Sequence, residues 1–390
     1  MPSKLEVQVE PTRRRTRALI IRHGQSTFNV QQRCQGRSDE PVLTDGGVAA
    51  AAQAGRHLAT ERVDVFISSP LRRARHTVEI IAAIHRERGQ DRLLLNTSDD
   101  LMEIHLPEWE GLAFETIRRQ FPDSHRIWSD EPHEFRMSVN GRSTFFPVRE
   151  LFEQASRFWR ELLLHHAGQT VALVTHGGTA KALISTAVGV RPERFHLLQQ
   201  SNCGISILEF PAGSTTAKIE TLNRTAHLGE RMPKLKLGRR GTRIVMMASD
   251  TPRRQSFHIS EILDASQVDF VWSADDPHSK EMAHALIPAH PHAQLGIFRG
   301  RVLFDVARPE TLPVAAPLAP SQYALSTGVF VGRNAEIESL LSAVLGIDAR
   351  TSPWKNLSNV VLHYPETGKK PVIQALNMPL CKKAPELVEI

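Results

Sequence analysis

The sequence predicts an α/β fold, a three-layer α/β/α sandwich with helices on both faces of a largely parallel sheet. Three observations predict it. Short apolar runs at 18–21, 63–67 and 171–174 have the length of buried strands. Each is followed by a segment whose apolar residues recur at helical spacing, which is the order of a β-α-β unit. Two of the runs end alike, in Arg22-His23-Gly24 and Thr175-His176-Gly177, at the carboxyl edge where open sheets form ligand crevices. A chain of 390 residues exceeds the ~250–300 that one core usually serves, so two domains are expected.

The bulk numbers exclude several classes. A hydrophobic share of 41% against 23% charged residues is that of a packed globular protein rather than a disordered one. The net charge of +6 is spread without a basic repeat interleaved with aromatics, so no nucleic-acid partner is expected. Arg13, Arg14, Arg15 and Arg17 cluster at the end of a polar stretch, 1–16, which reads as a flexible tail. Cys34, Cys203 and Cys381 are too dispersed for a disulfide framework or a metal cluster and suit a reducing compartment. No apolar run nears the ~18 residues of a membrane span, and the N-terminus lacks an apolar leader, so the expected location is cytoplasmic, without membrane contact.

In chain order, strand 18–21 runs into a polar turn with Ser26 and Asn29, then a loop, Gln31 to Val42, holding Gly36, Arg37 and Pro41. Thr44 reads as the N-cap of a helix that buries Val48, Ala51, Ala52, Gly55, Leu58 and Ala59. After the strand Val63 to Ile67, Ser69 as N-cap with Pro70 at the first helical position starts a helix with Leu71, Ala74, Val78 and Ile81 inward, ending at Gly89. Phe114, Ile117 and Phe121 mark a short helix, and Pro122 to Pro147 reads as a long irregular lid or binding wall that shapes specificity. A long amphipathic helix, Val148 to His166, precedes strand Val171 to Val174 and a helix with Ala180, Leu183, Ile184 and Ala187 inward. The turn Ser201-Asn202-Cys203-Gly204 leads to strands at Ile205 to Phe210 and Ala217 to Leu222.

The chemistry sits at the strand ends. A guanidinium clamps phosphate oxygens and a neutral imidazole nitrogen can attack phosphorus, so Arg22 and His23 beside the small Gly24 suit a phosphate. His176 and Gly177 at a second strand end bring another imidazole to the same edge. The helix after Ser69 offers an N-terminus to an anion. Arg72, Arg73 and Arg75 cannot all face one site, because helix neighbours diverge by about 100°. Glu103 lies in a stretch of carboxylates that includes Trp109 and suits a general acid, its pKa raised by partial burial near that indole.

Together these stretches resemble the histidine phosphatase superfamily, the phosphoglycerate mutase-like branch, over about residues 17–223. The resemblance implies a phosphoglycerate mutase-like sandwich and makes His23 the phosphorylated nucleophile. It gives Arg22, Arg73 and His176 to the phosphate pocket with Asn29 lining it, and Glu103 to proton donation. Gly24 and Gly177 belong to the two signature turns. The clamp arginine of the family's Ser-x-Leu-x-Arg-Ala pattern falls on Arg73. The implied activity is metal-independent hydrolysis of a small phosphate monoester, without a cofactor or metal, by a phosphohistidine route. Mutases of the family carry an arginine pair in a longer insertion, which Arg118-Arg119 matches poorly. The Glu-Trp-Glu-Gly segment, the loop at His133 to Arg136 and the turn at Gln200 to Gly204 resemble two-domain members of photosynthetic organisms, called 2-carboxy-D-arabinitol-1-phosphatases. A sugar-acid phosphate or phosphoserine is therefore the expected substrate, and a small phosphorylated metabolite the expected partner, with a homodimer as an option. The rivals are a cofactor-dependent mutase and a non-catalytic sensor of phosphometabolites.

The expected organisation is a tail at 1–16, a catalytic domain at 17–225, a linker at 226–240 and a degenerate, inactive phosphatase-like domain at 241–390. The stretch from Gly328 through Leu340-Leu341 to Gly346-Ile347 parallels that from Val171 through Leu183-Ile184 to Gly189-Val190, and the same offset carries Asn202 onto Asn359. Leu222-Asn223 recurs as Leu376-Asn377, and Leu19-Ile20-Ile21 as Ile244-Val245-Met246. Shared order predicts a duplicated fold. Its chemistry is missing: Met247-Ala248-Ser249-Asp250 stands where Arg-His-Gly would be, Arg333 replaces His176, and Asp275 and Asp276 would repel a phosphate.

Overall fold

The computed structural model describes residues 15–89, 94–139, 143–236, 238, 240–250, 263, 268–298, 325–365 and 371–378. The expected tail up to residue 14, Arg142, Arg239 and Cys381 lie outside the described residues.

Strand β1 (Thr16–Arg22) starts inside the expected tail and shows why the fold is layered. Ala18 and Ile20 face one core and Leu19 and Ile21 the other, so alternate residues of one strand bury both faces of the sheet. Each large apolar side chain so buried stabilises by about 1.5–3 kcal/mol. After the single-turn helix α1 (Thr27–Val30), helix α2 (Asp45–Leu58) is capped by Thr44, whose hydroxyl accepts from Gly47 N–H. Its inward face is Gly47, Ala51, Ala54, Gly55 and Leu58, whereas Val48 points to solvent, a rotation of the expected face by part of a turn.

Strand β2 (Val65–Ser68) leads to helix α3 (Arg72–Glu87), which begins later than predicted, with Leu71 as its uncapped N-cap. Ser69 does not cap it, because its hydroxyl accepts from Leu71 N–H and meets the His176 ring. Strand β3 (Leu94–Thr97) follows. The expected short helix is α4 (Phe114–Gln120), and the segment expected to be irregular holds, among its described residues, helix α5 (Pro122–Asp130) and a hairpin of β4 (Met137–Val139) and β5 (Ser143–Phe145). Pro122 occupies the first turn of α5, where its missing N–H costs nothing. Helix α6 (Pro147–His165), strand β6 (Thr170–Thr175), helix α7 (Gly177–Val188) and strands β7 (Ile205–Phe210) and β8 (Lys218–Arg224) complete this half.

The second half holds β9 (Gly241–Ala248), β10 (Phe270–Ala274), α8 (Pro277–Leu286), β11 (Gln294–Phe298), β12 (Leu325–Gly332), α9 (Asn334–Leu345), β13 (Asn359–Tyr364) and β14 (Val372–Leu376). All strands except the hairpin join one 12-stranded sheet, ordered β11-β10-β12-β9-β13-β14-β8-β7-β1-β6-β2-β3. Counted outward from the middle, β8-β7-β1-β6-β2-β3 and β14-β13-β9-β12-β10-β11 visit their strands in the same sequence order. Arg22 pairs with Thr175 as Ala248 pairs with Gly332. The halves meet where β8 and β14 run antiparallel at Leu222 and Leu376, and one apolar cluster runs from Phe210 and Ile219 to Trp354 and Ile373 across that seam.

Two asparagines stitch the seam. Asn223 and Asn377 both adopt left-handed backbone, at φ 52° and 49°. Asn377 Nδ2 donates to Glu220 O at 3.0 Å and Lys355 O at 2.9 Å, and its Oδ1 accepts from Ser358 N–H at 2.8 Å. Asn223 Nδ2 donates to Gln374 O at 2.7 Å. Replacing Asn377 by alanine leaves these groups without partners and puts a Cβ residue with no local hydrogen bond in the left-handed region, so a loss of about 2–4 kcal/mol is expected. Urea denaturation of the full chain measures it, with Asn377→Gly separating the backbone share from the hydrogen-bond share. Among the described residues no helix is long and apolar enough to cross a membrane.

Candidate active site

β1 delivers Arg22 and then His23 to the carboxyl edge of the sheet, and β6 delivers His176 at the matching level, with the His23 N–H donating to Thr175 O at 2.8 Å. The two imidazole centroids are 5.2 Å apart. His23 Nδ1 lies 2.7 Å from the Gly24 carbonyl oxygen, which can only accept. The proton is therefore on Nδ1 and the lone pair on Nε2. Burial, then the positive charges of Arg73 and Arg22, hold the His23 pKa well below its ordinary value, so the ring is a neutral base. His176 is held low in the same way, by burial first and then Arg73. Its Nε2 is 2.8 Å from Ser69 Oγ, and its Nδ1 is buried without a hydrogen-bond partner.

Of the three arginines at the start of α3, Arg72 and Arg75 are exposed and Arg73 is buried. Arg73 donates from Nη1 to Ser38 O at 2.7 Å and from Nη2 to Gly36 O at 2.9 Å, carbonyls of the loop after α1. One turn on, Thr77 Oγ1 donates to Arg73 O and accepts from Gly24 N–H, locking α3 to the end of β1. Arg22 donates from Nη1 to Gln200 O at 3.0 Å. Its guanidinium lies over Gly177, where a Cβ would come within 3.3 Å of Nε. The Nε groups of both arginines are buried without partners. Arg22, Arg73 and His176, whose charge or ring reaches His23, thus each carry a buried nitrogen without a partner, which an anion's oxygens would satisfy.

Glu103 reaches this edge by a route the sequence did not suggest. Its carboxylate accepts from Gly178 N–H at 3.0 Å, Thr179 N–H at 3.1 Å and Ile104 N–H at 2.9 Å, so it occupies the N-terminus of α7, just beyond His176. A Cβ at Gly178 would sit 2.5 Å from Glu103 Oε1, which is why that position is glycine. Trp109 is not what holds it: the indole packs with Trp128 and Phe135 in the core. The backbone around Glu103 is braced by Arg37, which donates to Glu103 O and to Gln154 Oε1, while Gln154 donates to Asp100 O and Met102 O. Asn29 serves the fold around His23 indirectly, since Asn202 Nδ2 donates both to His23 O and to Asn29 Oδ1. Phe145 of the hairpin meets His105, two residues from Glu103, at 5.5 Å. The sequence reading passed over Thr77 and Gln154 and gave Ser69 only the role of a cap; Thr77 carried a signal, its place one turn after Arg73.

Comparison with known proteins fits this geometry. The profile of the histidine phosphatase superfamily, branch 1, matches residues 18–224. The chain belongs to that superfamily. Among curated histidine phosphatase relatives, the probable 2-carboxy-D-arabinitol-1-phosphatase of Arabidopsis thaliana is 35% identical over 221 residues, covering 56% of this chain and 43% of that protein. The 2-carboxy-D-arabinitol-1-phosphatase of Triticum aestivum is 37% identical over 194 residues, covering 50% of this chain and 37% of its own. The chain thus spans less than half the length of these two plant relatives. Phosphoserine phosphatase 1 of Hydrogenobacter thermophilus is 29% identical over 213 residues, 54% of this chain and 94% of that one.

Two half-buried histidines also set the acid tolerance of the fold. Burial first, then Lys181, brings His196 down to about 3; burial first, then His57, brings His227 down to about 3. Both are neutral in the fold and take up a proton on unfolding below about pH 6.5, so the unfolded chain binds more protons there and stability falls as the pH falls. Each is expected to cost about 2 kcal/mol between pH 7.5 and 5. Urea midpoints at the two pH values check this, and His196→Gln is expected to flatten the dependence.

Proposed function

We propose that the protein hydrolyses a small phosphate monoester in two displacements at this site. The observation that carries the reading is the tautomer of His23, with Nδ1–H committed to Gly24 O and Nε2 free, together with the unpartnered nitrogens on Arg22, Arg73 and His176. In the first step Nε2 attacks phosphorus, the ester P–O bond breaks, and the Glu103 proton passes to the leaving oxygen. The imidazolium charge that develops is shared with the Gly24 carbonyl. Arg22, Arg73 and His176 stabilise charge on the equatorial oxygens; preorganised donors of this kind are worth about 3–4 kcal/mol each in a transition state. In the second step water attacks phosphorus as Glu103 takes its proton, the P–N bond breaks, and phosphate leaves with His23 neutral again. Gly24, Gly177 and Asn29 shape and support the pocket.

A sugar-acid phosphate such as 2-carboxy-D-arabinitol 1-phosphate, or phosphoserine, is the substrate class that the names of the relatives favour. The second half is read as a duplicate without the chemistry. The support is its identical strand order, the paired asparagines at the seam, and Ser249 and Arg333 at the strand ends that correspond to His23 and His176. Arg333 and Lys280 there pair with Asp276 and Asp275. Rapid quenching of the full chain with labelled phosphoserine, phosphoglycerates and sugar-acid phosphates tests the reading. The expected result is an acid-labile, base-stable phosphoenzyme and release of inorganic phosphate without added bisphosphate. Phosphate release with no phosphoenzyme would overturn the covalent route.

A further inference from the structure

Beside the candidate phosphate pocket lie two lysines that this mechanism does not use. Lys181 stands one turn into α7, the helix whose N-terminus holds Glu103, and its ammonium rests 5.0 Å from the centre of the Phe195 ring. Among the described residues it has no hydrogen-bond or ion-pair partner. Lys236 comes from the segment between the halves, beyond residue 224 where the family match ends. Its stem is exposed while its ammonium is inserted to donate to Gln200 O, the carbonyl that also receives Arg22 Nη1. The segment is fixed there: Lys234 O accepts from Gln199 Nε2, and Pro233 O from Arg243 Nη2. Gln200 Nε2, fully buried at the same place, has no partner.

Both ammonium groups are held below their ordinary pKa, Lys181 at about 8 and Lys236 well below its usual value, by burial first and then by Arg22. The cost of crowding cations at one edge needs an anion to offset it. Glu103 is the one carboxylate whose charge reaches Arg22, Arg73, Lys181 and Lys236 alike. Two ammonium groups beside the phosphate site match a carboxylate, whose two oxygens accept from both.

We propose that Lys181 and Lys236 form a second anion subsite that binds a carboxylate of the substrate, so that the preferred substrates are phosphorylated hydroxy acids or amino acids; this rests on the phosphatase reading above. The segment between the halves is then part of the binding site, and the carboxylate ligands come from both α7 and the chain beyond it.

The test uses matched pairs on the full chain: 3-phosphoglycerate against glycerol 3-phosphate, phosphoserine against phosphoethanolamine, and fructose 1,6-bisphosphate against fructose 6-phosphate. A hydrogen bond to a charged group is worth a factor of about 10–100, so the wild type is expected to favour the carboxylated members by at least about 10-fold in kcat/KM. In Lys236→Met and Lys181→Met that ratio is expected to fall towards one, chiefly through KM, and Lys236→Arg is expected to keep it. A wild type that turns over phosphate esters with no carboxylate preference, or a preference that survives both methionine variants, overturns the subsite while leaving the phosphatase reading intact. A preference for the bisphosphate alone overturns the carboxylate assignment. Failure on every ester, p-nitrophenyl phosphate included, overturns the phosphatase reading itself.

Discussion

His23→Ala is expected to lower kcat/KM for every phosphate ester by on the order of 10⁵-fold or more and to leave no phosphoenzyme on rapid quenching. The size follows from what is removed. Alanine deletes the proposed nucleophile and leaves Arg22, Arg73 and His176, the proposed phosphate ligands, in place, so KM should change far less than kcat. Among the described residues His176 is the imidazole whose ring lies beside His23; its Nε2 is engaged by Ser69 Oγ, and its Nδ1 is buried without a hydrogen-bond partner. A residual burst in the variant would show that His176 can take the phosphoryl group, and full retention of activity would sink the covalent route through His23. The variant should fold, because the backbone contacts of residue 23, its N–H to Thr175 O and its carbonyl to Asn202, do not involve the ring.

How much of this was legible in the sequence depends on whether a signal was local. The β1 run, the two His-Gly strand ends and the amphipathic faces of α6 and α7 are local patterns, and the structure holds strands and helices there. Arg73 needed one further step: helical phase alone says that three neighbouring arginines cannot share a site, the resemblance picks Arg73, and the buried row Arg73, Ala74, Thr77, Val78 and Ile81 places it inside. Helix α5 was missed because it buries none of its residues and so shows no apolar stripe, though Pro122 and Asp123 mark its start. The setting of Glu103 was not legible at all. Its partners, Gly178 and Thr179, are remote in sequence, and the nearby Trp109 offered a plausible but different cause. The seam between β8 and β14 was equally hidden, since strand pairing across the middle of a sheet leaves no periodicity in either strand.

The placement of Glu103 yields the second large effect. Glu103→Gln keeps the shape but can neither donate to a leaving oxygen nor take a proton from water, so kcat on alkyl phosphates such as phosphoserine is expected to fall about 10²–10⁴-fold. The variant also carries a structural cost, because the glutamine NH₂ must face one of the N–H groups of Gly178, Thr179 or Ile104, leaving it without an acceptor, which costs about 1–3 kcal/mol. A fall in activity alone would therefore not distinguish proton transfer from a shifted α7. Leaving-group dependence does. p-Nitrophenolate departs without a proton, so formation of the phosphoenzyme from p-nitrophenyl phosphate should survive in the variant, while its hydrolysis, which needs a base for water, should slow and let the phosphohistidine accumulate. A merely displaced helix would depress both esters and both steps together. Accumulation of phosphoenzyme from the aryl ester beside a lost reaction with the alkyl ester would assign Glu103 both proton transfers; equal losses on the two esters would reduce it to a cap for α7.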